Sequence, residues 1–341
     1  MPVTILDVAK AAGVSIKTVS RVVNNESNVS VNTRDKVLSA IETLRYTPNP
    51  SAQRLARGHT GIVGLLIHDT APSFIMEVLK GIMDMGELRG YHSSLHRCDV
   101  TKPEQIARVI RMAAQHQVEG LIFTPPCDTS DELIEALQAI KFPFVILMSH
   151  DRAPQKAWVV TGNEQGSFEL TCHLLELGHR SIGFIQGNAD HQDTWDRLAG
   201  YQRALQHYGL PLDPNLVRQG EWTADSGREW ARDLLSRYHE AQQPTAIVAT
   251  NDEMAAGVIQ AIWQLGLRCP EDISVVGFDD VPLASQIFPP LTTVKQPIRE
   301  MASRAMQMLI EDFLEGDGII RHVEVETQLI IRQSTMRRSP L

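Results

Sequence analysis

Between Thr4 and Leu44 apolar residues recur at helical spacing; from Gly61 onward they gather into strand-length runs separated by amphipathic stretches. In the first region Ile5, Val8, Ala9 and Ala12 fall at i, i+3, i+4 and i+7, one face of a helix. Thr4 is placed to cap it, and Gly13 follows where a helix end takes a left-handed residue. Ser15 then caps a second helix with Val19, Val22 and Val23 facing inward. A third series, Val37, Leu38, Ile41 and Leu44, is predicted to start at Asn32, with Asp35 completing a variant capping box. Three short helices with a tight turn between the first two predict an all-α helix-turn-helix head.

The rest of the chain alternates. Val/Ile-rich runs at 62–67, 120–124, 144–148, 158–161, 181–186, 246–251 and 273–278 read as buried strands. Helical patterns lie between them, at 74–90, 101–116, 131–139, 165–177, 197–208, 226–238 and 254–265. Repeated strand–helix units predict an α/β body, and there are too many strands for one comfortable sheet. The expectation is two doubly wound parallel-sheet lobes with a ligand crevice between them, at the carboxyl ends of the strands.

Charge sharpens the division. The chain of 341 residues has a formal net charge of −9, yet residues 1–60 hold eight bases and four acids. The head is therefore +4 and the remainder −13. A basic head on an acidic body suits polyanion binding, although a mildly basic solvated surface gives the same count. Cys98, Cys127, Cys172 and Cys269 form no C-x-x-C pair and predict reduced thiols. The start, Met-Pro-Val-Thr-Ile-Leu-Asp, shows no basic stretch leading into an apolar one, and no apolar run approaches membrane length. The expectation is a cytoplasmic protein with no membrane partner.

Candidate chemistry follows from position. On the second helix Ile16, Lys17, Thr18, Ser20 and Arg21 point outward. Lys and Arg can donate to guanine edges, Ile can touch a thymine methyl, and hydroxyls can hold phosphates. Asn49-Pro50 would start a short helix over "SAQRLARG", marginal alone in water. There Arg54 and Arg57 could meet phosphates, and Leu55 could wedge into a minor groove; a plain linker is the other reading. In the body, "TND" (250–252) and "FDD" (278–280) follow strands and "WDRLAGY" (195–201) opens a helix. Asn251, Asp279 and Arg197 would then project into the crevice, a carboxylate, an amide and a guanidinium suited to vicinal hydroxyls. Trp222 could stack on a sugar face. Each also has a plain structural reading, as a helix cap or a surface ion pair. His92 and His96 read as structural rather than metal-binding, for want of a third ligand. No dinucleotide fingerprint, phosphate loop or nucleophile elbow is present, and no cofactor is expected.

The stretch "ILDVAKAAGVSIKTVSRVVNNESNVSVNTRDKVLSAIETLRYTPNPSAQRLA" resembles the N-terminus of the LacI/GalR family of bacterial transcription regulators. In the body "LGHRSIGFIQG", "RLAGYQRAL", "PTAIVATNDEMAAGVIQAIWQLGLRCPEDISVVGFDD" and "PPLTTVKQP" resemble signatures of the same family. The resemblance implies a sequence-specific repressor binding a palindromic double-stranded DNA operator as a homodimer, controlled by a small sugar-like effector. It implies base reading by Ile16, Lys17 and Arg21, and phosphate contacts by Thr4, Ser15, Ser20 and Asn24. In the minor groove it implies Ala52 and Leu55, beside Arg54. It also implies a periplasmic-binding-protein-like body with three crossings between lobes. Effector contacts would come from Arg197, Asn251 and Asp279, with Asp69, Ser73 and Phe74 from the first lobe. Two positions depart from the family: Met148 stands where some sugar-binding members carry an acid, and Asn163 where Asp is usual. The division expected is a head over 1–48, a hinge over 49–60, a two-lobed body over 61–336 and a tail over 337–341. The segment "LIIRQSTMRRSPL" carries no leucine heptads, so a dimer is expected rather than a tetramer. A free-standing sugar-binding protein or an enzyme on the same fold are the alternatives. The first would not need residues 1–60, and the second lacks a visible catalytic constellation.

Overall fold

The computed structural model describes residues 3–24, 27–46, 59–68, 71–148, 153–237 and 243–338. The linker candidates Ala52, Arg54 and Leu55 and the crevice candidate Asp69 lie outside the described residues. The chain divides into two compact units, one ending at Gly61 and the other starting at Ile62.

In the first unit α1 (Ile5–Ala12) begins where the Thr4 N–H and hydroxyl both donate to the Asp7 carboxylate, at 2.9 and 2.7 Å. It ends at Gly13, with φ 65°. The turn leads to α2 (Ile16–Val23), whose first turn is closed by the Ser15 hydroxyl accepting from the Thr18 N–H at 3.1 Å. Helix α3 (Val31–Leu44) starts earlier than the sequence pattern indicates: Ser30, not Asn32, is the cap, accepting from the Thr33 N–H at 3.4 Å. Ser30 is extended, so its hydroxyl can turn back onto the first turn, where Asn32 already lies. The inward stripe is Val37 and Ala40, with Ile41 and Leu44 beside them, packed on Val8, Val19 and Val22. Leu38 lies one residue round the helix from that stripe and is 48% exposed.

The second unit holds two parallel sheets. The first contains β1 (Ile62–Ile67), β2 (His92–Arg97), β3 (Gly120–Phe123), β4 (Phe144–Leu147), β5 (Trp158–Thr161) and β11 (His322–Val325), in the order β11-β5-β4-β3-β1-β2. Helices α4 (Pro72–Arg89), α5 (Pro103–Ala114) and α6 (Asp131–Ala139) connect the early strands. The second sheet has β6 (Ile182–Gln186), β7 (Val217–Gln219), β8 (Ala246–Ala249) and β9 (Ser274–Val276), in the order β7-β6-β8-β9. Around it run α7 (Asn163–Glu176), α8 (Gln192–His207), α9 (Ala224–Arg237), α10 (Asp252–Gln264) and the short α11 (Pro282–Gln286). A two-stranded antiparallel ribbon pairs β10 (Thr293–Lys295) with β12 (Gln328–Ile330), and α12 (Ile298–Met308) packs in the first lobe's core.

The chain crosses between lobes three times: after β5, between β10 and α12, and between β11 and β12. Strands β7, β10, β11 and β12 carry no apolar run in the sequence. Each is three or four residues long, and β7, β11 and β12 have no fully buried position, so packing on neighbours rather than intrinsic pattern makes them strands. Each sheet buries both faces: one core cluster includes Val63, Leu65 and Met301, its opposite Leu66, Phe123 and Ile146. The second lobe repeats the plan with clusters around Ile247 and Phe184. No helix of the described residues is long and apolar enough to cross a membrane.

In the second lobe α7 and α8 approach each other closely. A Cβ at Gly200 would press on the Glu164 carbonyl oxygen and lie 2.8 Å from the Phe168 nitrogen, both backbone atoms that cannot swing aside. Gly200→Ala is expected to destabilise the body by about 1–3 kcal/mol, the usual cost of overpacking. Denaturant unfolding of the variant beside the wild type measures it.

Candidate functional site

Two places gather the chemistry. In the head, α2 presents Ile16, which is 46% exposed, with Lys17 exposed beside it and Arg21 half-buried one turn on. The candidate phosphate contacts have local partners. The Thr4 hydroxyl donates to Asp7, Ser15 shares a 2.9 Å bond with the Thr18 hydroxyl, and Asn24 Nδ2 donates to Ser20 Oγ at 3.4 Å. Those bonds fix the ends of α1 and α2 and so set where the outward residues stand.

In the body a crevice of about 440 Å³ opens between the lobes. From the first lobe it is walled by Ala71 and Phe74 at the start of α4, Thr124 and Pro125 after β3, and Met148 after β4. From the second come His191, Asp193 and Arg197 around the start of α8, Trp222, Asn251, Asp279 and Gln296. Nearly all follow the carboxyl end of a parallel strand, where helix starts and strand ends leave room for a ligand. The sequence-predicted Phe74, Arg197, Trp222, Asn251 and Asp279 thus meet in one cavity. Ser73 does not line it. Its backbone N–H donates to Glu253 Oε1 at 3.3 Å, so it joins α4 of the first lobe to α10 of the second. His191, Asp193, Thr124 and Gln296 are additions that no motif announces.

Arg197 organises the second-lobe wall. It is 2% exposed, and its guanidinium carbon lies 3.9 Å from the centroid of the Phe278 ring and 5.4 Å from that of Trp222. Its Nε donates to Asn163 Oδ1 at 2.9 Å, its Nη1 to the Thr250 carbonyl, and its Nη2 is 3.6 Å from Asp279 Oδ1. Asn163 Nδ2 in turn donates to Asp193 Oδ1 at 2.8 Å. An amide can accept from the guanidinium and donate to the carboxylate at once; an aspartate at 163 could only accept. Asp279 Oδ1 also accepts from Gln296 Nε2 at 2.5 Å. Asn251 caps α10, accepting from the Met254 N–H at 2.8 Å and donating to the Trp222 carbonyl at 3.0 Å, so the plain and the functional readings of this residue hold together.

Two marks of a ligand site accompany this network. The Trp222 indole Nε1 and the Gln296 amide Oε1 are buried without a hydrogen-bond partner among the described residues. Such orphans are rare and costly, and one donor and one acceptor beside the same cavity suit a polar guest. Backbone strain also concentrates here. Met148, Trp222 and Asp279 have φ of 65°, 61° and 111°, in the region side chains other than glycine avoid.

The electrostatics follow from burial. Loss of water pushes the Asp193 carboxyl up to about 7, against the pull of Arg197 and with repulsion from Asp196, Asp279 and Asp128. Burial likewise pushes Asp279 up to about 6, although Arg197 and the Gln296 amide favour its charged form. His191 is held neutral, pushed down to about 4 chiefly by burial. An aspartate raised in the folded state binds its proton there while the unfolded chain has already released it, so stability falls as pH rises between the two values. Asp193 and Asp279 thus give stability a falling slope between about pH 4 and pH 7, which the lowered His191 opposes by adding stability as pH rises over the lower part of that range. Asp193→Asn should flatten that slope, as read by denaturant unfolding at a series of pH values. An unchanged slope in the variant would place Asp193 outside this effect.

Comparison with known proteins agrees with this fold. Residues 4–49 match the family described as bacterial regulatory proteins, lacI family, and residues 171–335 match a periplasmic binding protein-like domain. The chain is 35% identical to the catabolite control protein A of Priestia megaterium, over 98% of this chain and 100% of that protein. It superposes on a lac repressor dimer bound to operator and the anti-inducer ONPF with a TM-score of 0.85 and 32% identity, covering 98% of this chain and 100% of that one. A complex of the regulator CelR with cellobiose gives a TM-score of 0.74 and 30% identity, over 97% of this chain and 99% of that one. Likeness of this extent, in sequence through head and body alike, means that the chain belongs to the lacI family of bacterial regulatory proteins.

Proposed function

We propose that the protein is a transcription regulator, a repressor without enzymatic activity, whose two heads in a homodimer bind a palindromic operator. In this reading α2 lies in the major groove with Ile16, Lys17 and Arg21 on base edges, and Thr4, Ser15, Ser20 and Asn24 hold the backbone. Ala52, Arg54 and Leu55 act at the minor groove, and Asp69 supplies a first-lobe contact to the effector. The two-fold symmetry of a dimer matches the symmetry of a palindrome.

The body's effector is a neutral sugar-like molecule. The observation that carries this is the state of Arg197: its nitrogens already face Asn163, the Thr250 carbonyl and Asp279. Among the described residues no second cation lines the crevice, while Asp193 and Asp279 do. A phosphate or carboxylate would enter a site that has carboxyls in place of free guanidinium donors. Hydroxyls, by contrast, can accept from Trp222 Nε1 and donate to Gln296 Oε1 and Asp279. CelR with cellobiose is a relative with a neutral sugar bound. A ligand touching both lobes favours the closed arrangement by its differential affinity for it. A coupling of about 1–3 kcal/mol then changes operator affinity by about 5–150-fold.

Titration of neutral mono- and disaccharides by calorimetry is expected to find a binder, and the 6-phosphate of that sugar should bind at least about tenfold more weakly. Asp279→Ala should abolish sugar binding while the operator gel shift stays near wild type. A variant that keeps wild-type affinity for the sugar would remove Asp279 from the site. In the head, Arg21→Ala should cost about 1–3 kcal/mol on the specific operator and relax preference at one base pair per half-site. Selection from random DNA reads that change, and an unaltered consensus would show that Arg21 does not read bases.

A further inference from the structure

The two walls of the inter-lobe crevice are chemically unlike. The first lobe presents hydrocarbon, from Ala71, Phe74, Pro125 and Met148, and the Thr124 hydroxyl, which already donates to the Leu66 carbonyl at 3.0 Å. Among the described residues, no side chain of that wall is left to donate to a carboxylate across the gap. The second lobe presents two carboxyls, Asp193 and Asp279, each 6% exposed, and one guanidinium, Arg197. The lobes are joined beside them, where the Ser73 N–H meets Glu253.

One cation does not serve both carboxyls equally. Asp279 Oδ1 is 3.6 Å from Arg197 Nη2 and accepts from Gln296 Nε2 at 2.5 Å. Asp193 accepts a single bond, from Asn163 Nδ2 to its Oδ1 at 2.8 Å, and forms no ion pair among the described residues. Arg197 is not at liberty to turn to it, because Nε is held by Asn163 Oδ1 and Nη1 by the Thr250 carbonyl. The charges that act on Asp193 come from every side. Asp196 and Arg197 lie on its own helix, Asp279 follows β9, and Asp128 follows β3 in the first lobe. His191, two residues before it, is held neutral by burial. The start of α8 favours an anion, but that is a partial charge. A carboxylate buried without a cation of its own loses more than this. Of the two carboxyls Asp193 is therefore the one that keeps a proton, and burial pushes it up to about 7.

We propose that a proton on Asp193 is an effector in its own right, favouring the close approach of the two lobes when bound and their separation when released. With the lobes apart, water reaches the carboxylate. With the lobes together, that water gives way to Ala71, Phe74, Pro125 and Met148, and the Asp128 carboxyl comes near. The anion loses more by this than the neutral acid does. The closed arrangement thus binds the proton more tightly than the open one, and by linkage the proton favours closure. A fall in pH closes the crevice and a rise opens it. Asn163 is the positioning residue: Arg197 takes its oxygen, so its nitrogen must face Asp193. The inference rests on movement of the lobes, as the sugar reading does, and not on the identity of the sugar.

The test uses the full-length protein with neither sugar nor DNA present, so that its outcome is separate from that of the sugar titrations. Small-angle X-ray scattering from about pH 5 to about pH 9 reads the separation of the lobes, and infrared difference spectra read the C=O stretch of the protonated acid. The wild type is expected to be more compact at the acid end and to expand, losing the acid band, around the about 7 of Asp193. Asp193→Asn keeps the shape of the side chain without its charge; it should stay compact throughout and lack that band. Asn163→Asp puts a group that can only accept beside Asp193, which must then keep its proton to bond it. The midpoint of both signals should move up by about one pH unit or more in that variant. Circular dichroism at each pH confirms folding; should Asp193→Asn not fold, the shift in Asn163→Asp decides. Wild-type dimensions that do not change with pH would overturn the proposal. So would an expansion that persists in Asp193→Asn, an acid band that this variant retains in full, or a midpoint that Asn163→Asp leaves in place.

Discussion

The second lobe is arranged around the need to keep one buried guanidinium partnered. An arginine that is 2% exposed cannot shed its proton, so every direction in which it can donate must meet an acceptor. Arg197 meets acceptors from three separated parts of the chain: Asn163 at the start of α7, Thr250 after β8 and Asp279 after β9. Phe278 and Trp222 supply the faces of their rings. Removing one partner of a buried charge costs about 3–5 kcal/mol, because the other is left uncompensated. The network therefore fixes the spacing of three strand ends, and those ends are the floor of the crevice.

The same burial raises the carboxyls of Asp193 and Asp279 and leaves Trp222 Nε1 and Gln296 Oε1 without partners among the described residues. Strained backbone at Met148, Trp222 and Asp279 adds to the cost. A site with unmet hydrogen-bond capacity and strain in the free protein gains from a guest that meets that capacity. The three crossings give the gain a mechanical outlet. The short segments between β5 and α7, β10 and α12, and β11 and β12 join the lobes, so a shift of one lobe is transmitted to the other. Ser73 and Glu253 already bridge them on one side.

The head was legible because its signals are local. The caps, the αL glycine and the 3.6-residue stripe each span fewer than two helical turns, and the side chains that satisfy them are close in sequence. At the start of α3 the cap is Ser30 rather than the expected Asn32, because the backbone is extended at Ser30 and Asn32 already lies in the first turn. Leu38 looked like core because it is apolar, but a stripe through Val37, Ala40 and Leu44 leaves it on the far side. In the body the Val/Ile runs mark fully buried parallel strands, since both faces of such strands are apolar.

By itself, then, the sequence determined the helix-turn-helix, the alternation of strands and helices, the division by charge, the strand-end positions of Asn251 and Asp279, and the place of Arg197 near the start of a helix. Each of these is written in neighbouring residues. Tertiary structure alone decided which of the many polar residues at loop ends share a cavity. His191 and Asp193 sit in "NADHQDTWDR", where a local reading sees a helix start, and Gln296 in "VKQP", where it sees the end of a strand. They join Asp279 and Arg197 because α8 starts, and β9 and β10 end, at one edge of the second lobe. Ser73 is next to Phe74 in sequence, yet its N–H bridges the lobes while the Phe74 ring lines the crevice. Burial, too, is a property of the folded whole: an aspartate's charge state at neutral pH depends on how much water the surrounding elements exclude, and no window of sequence contains that quantity.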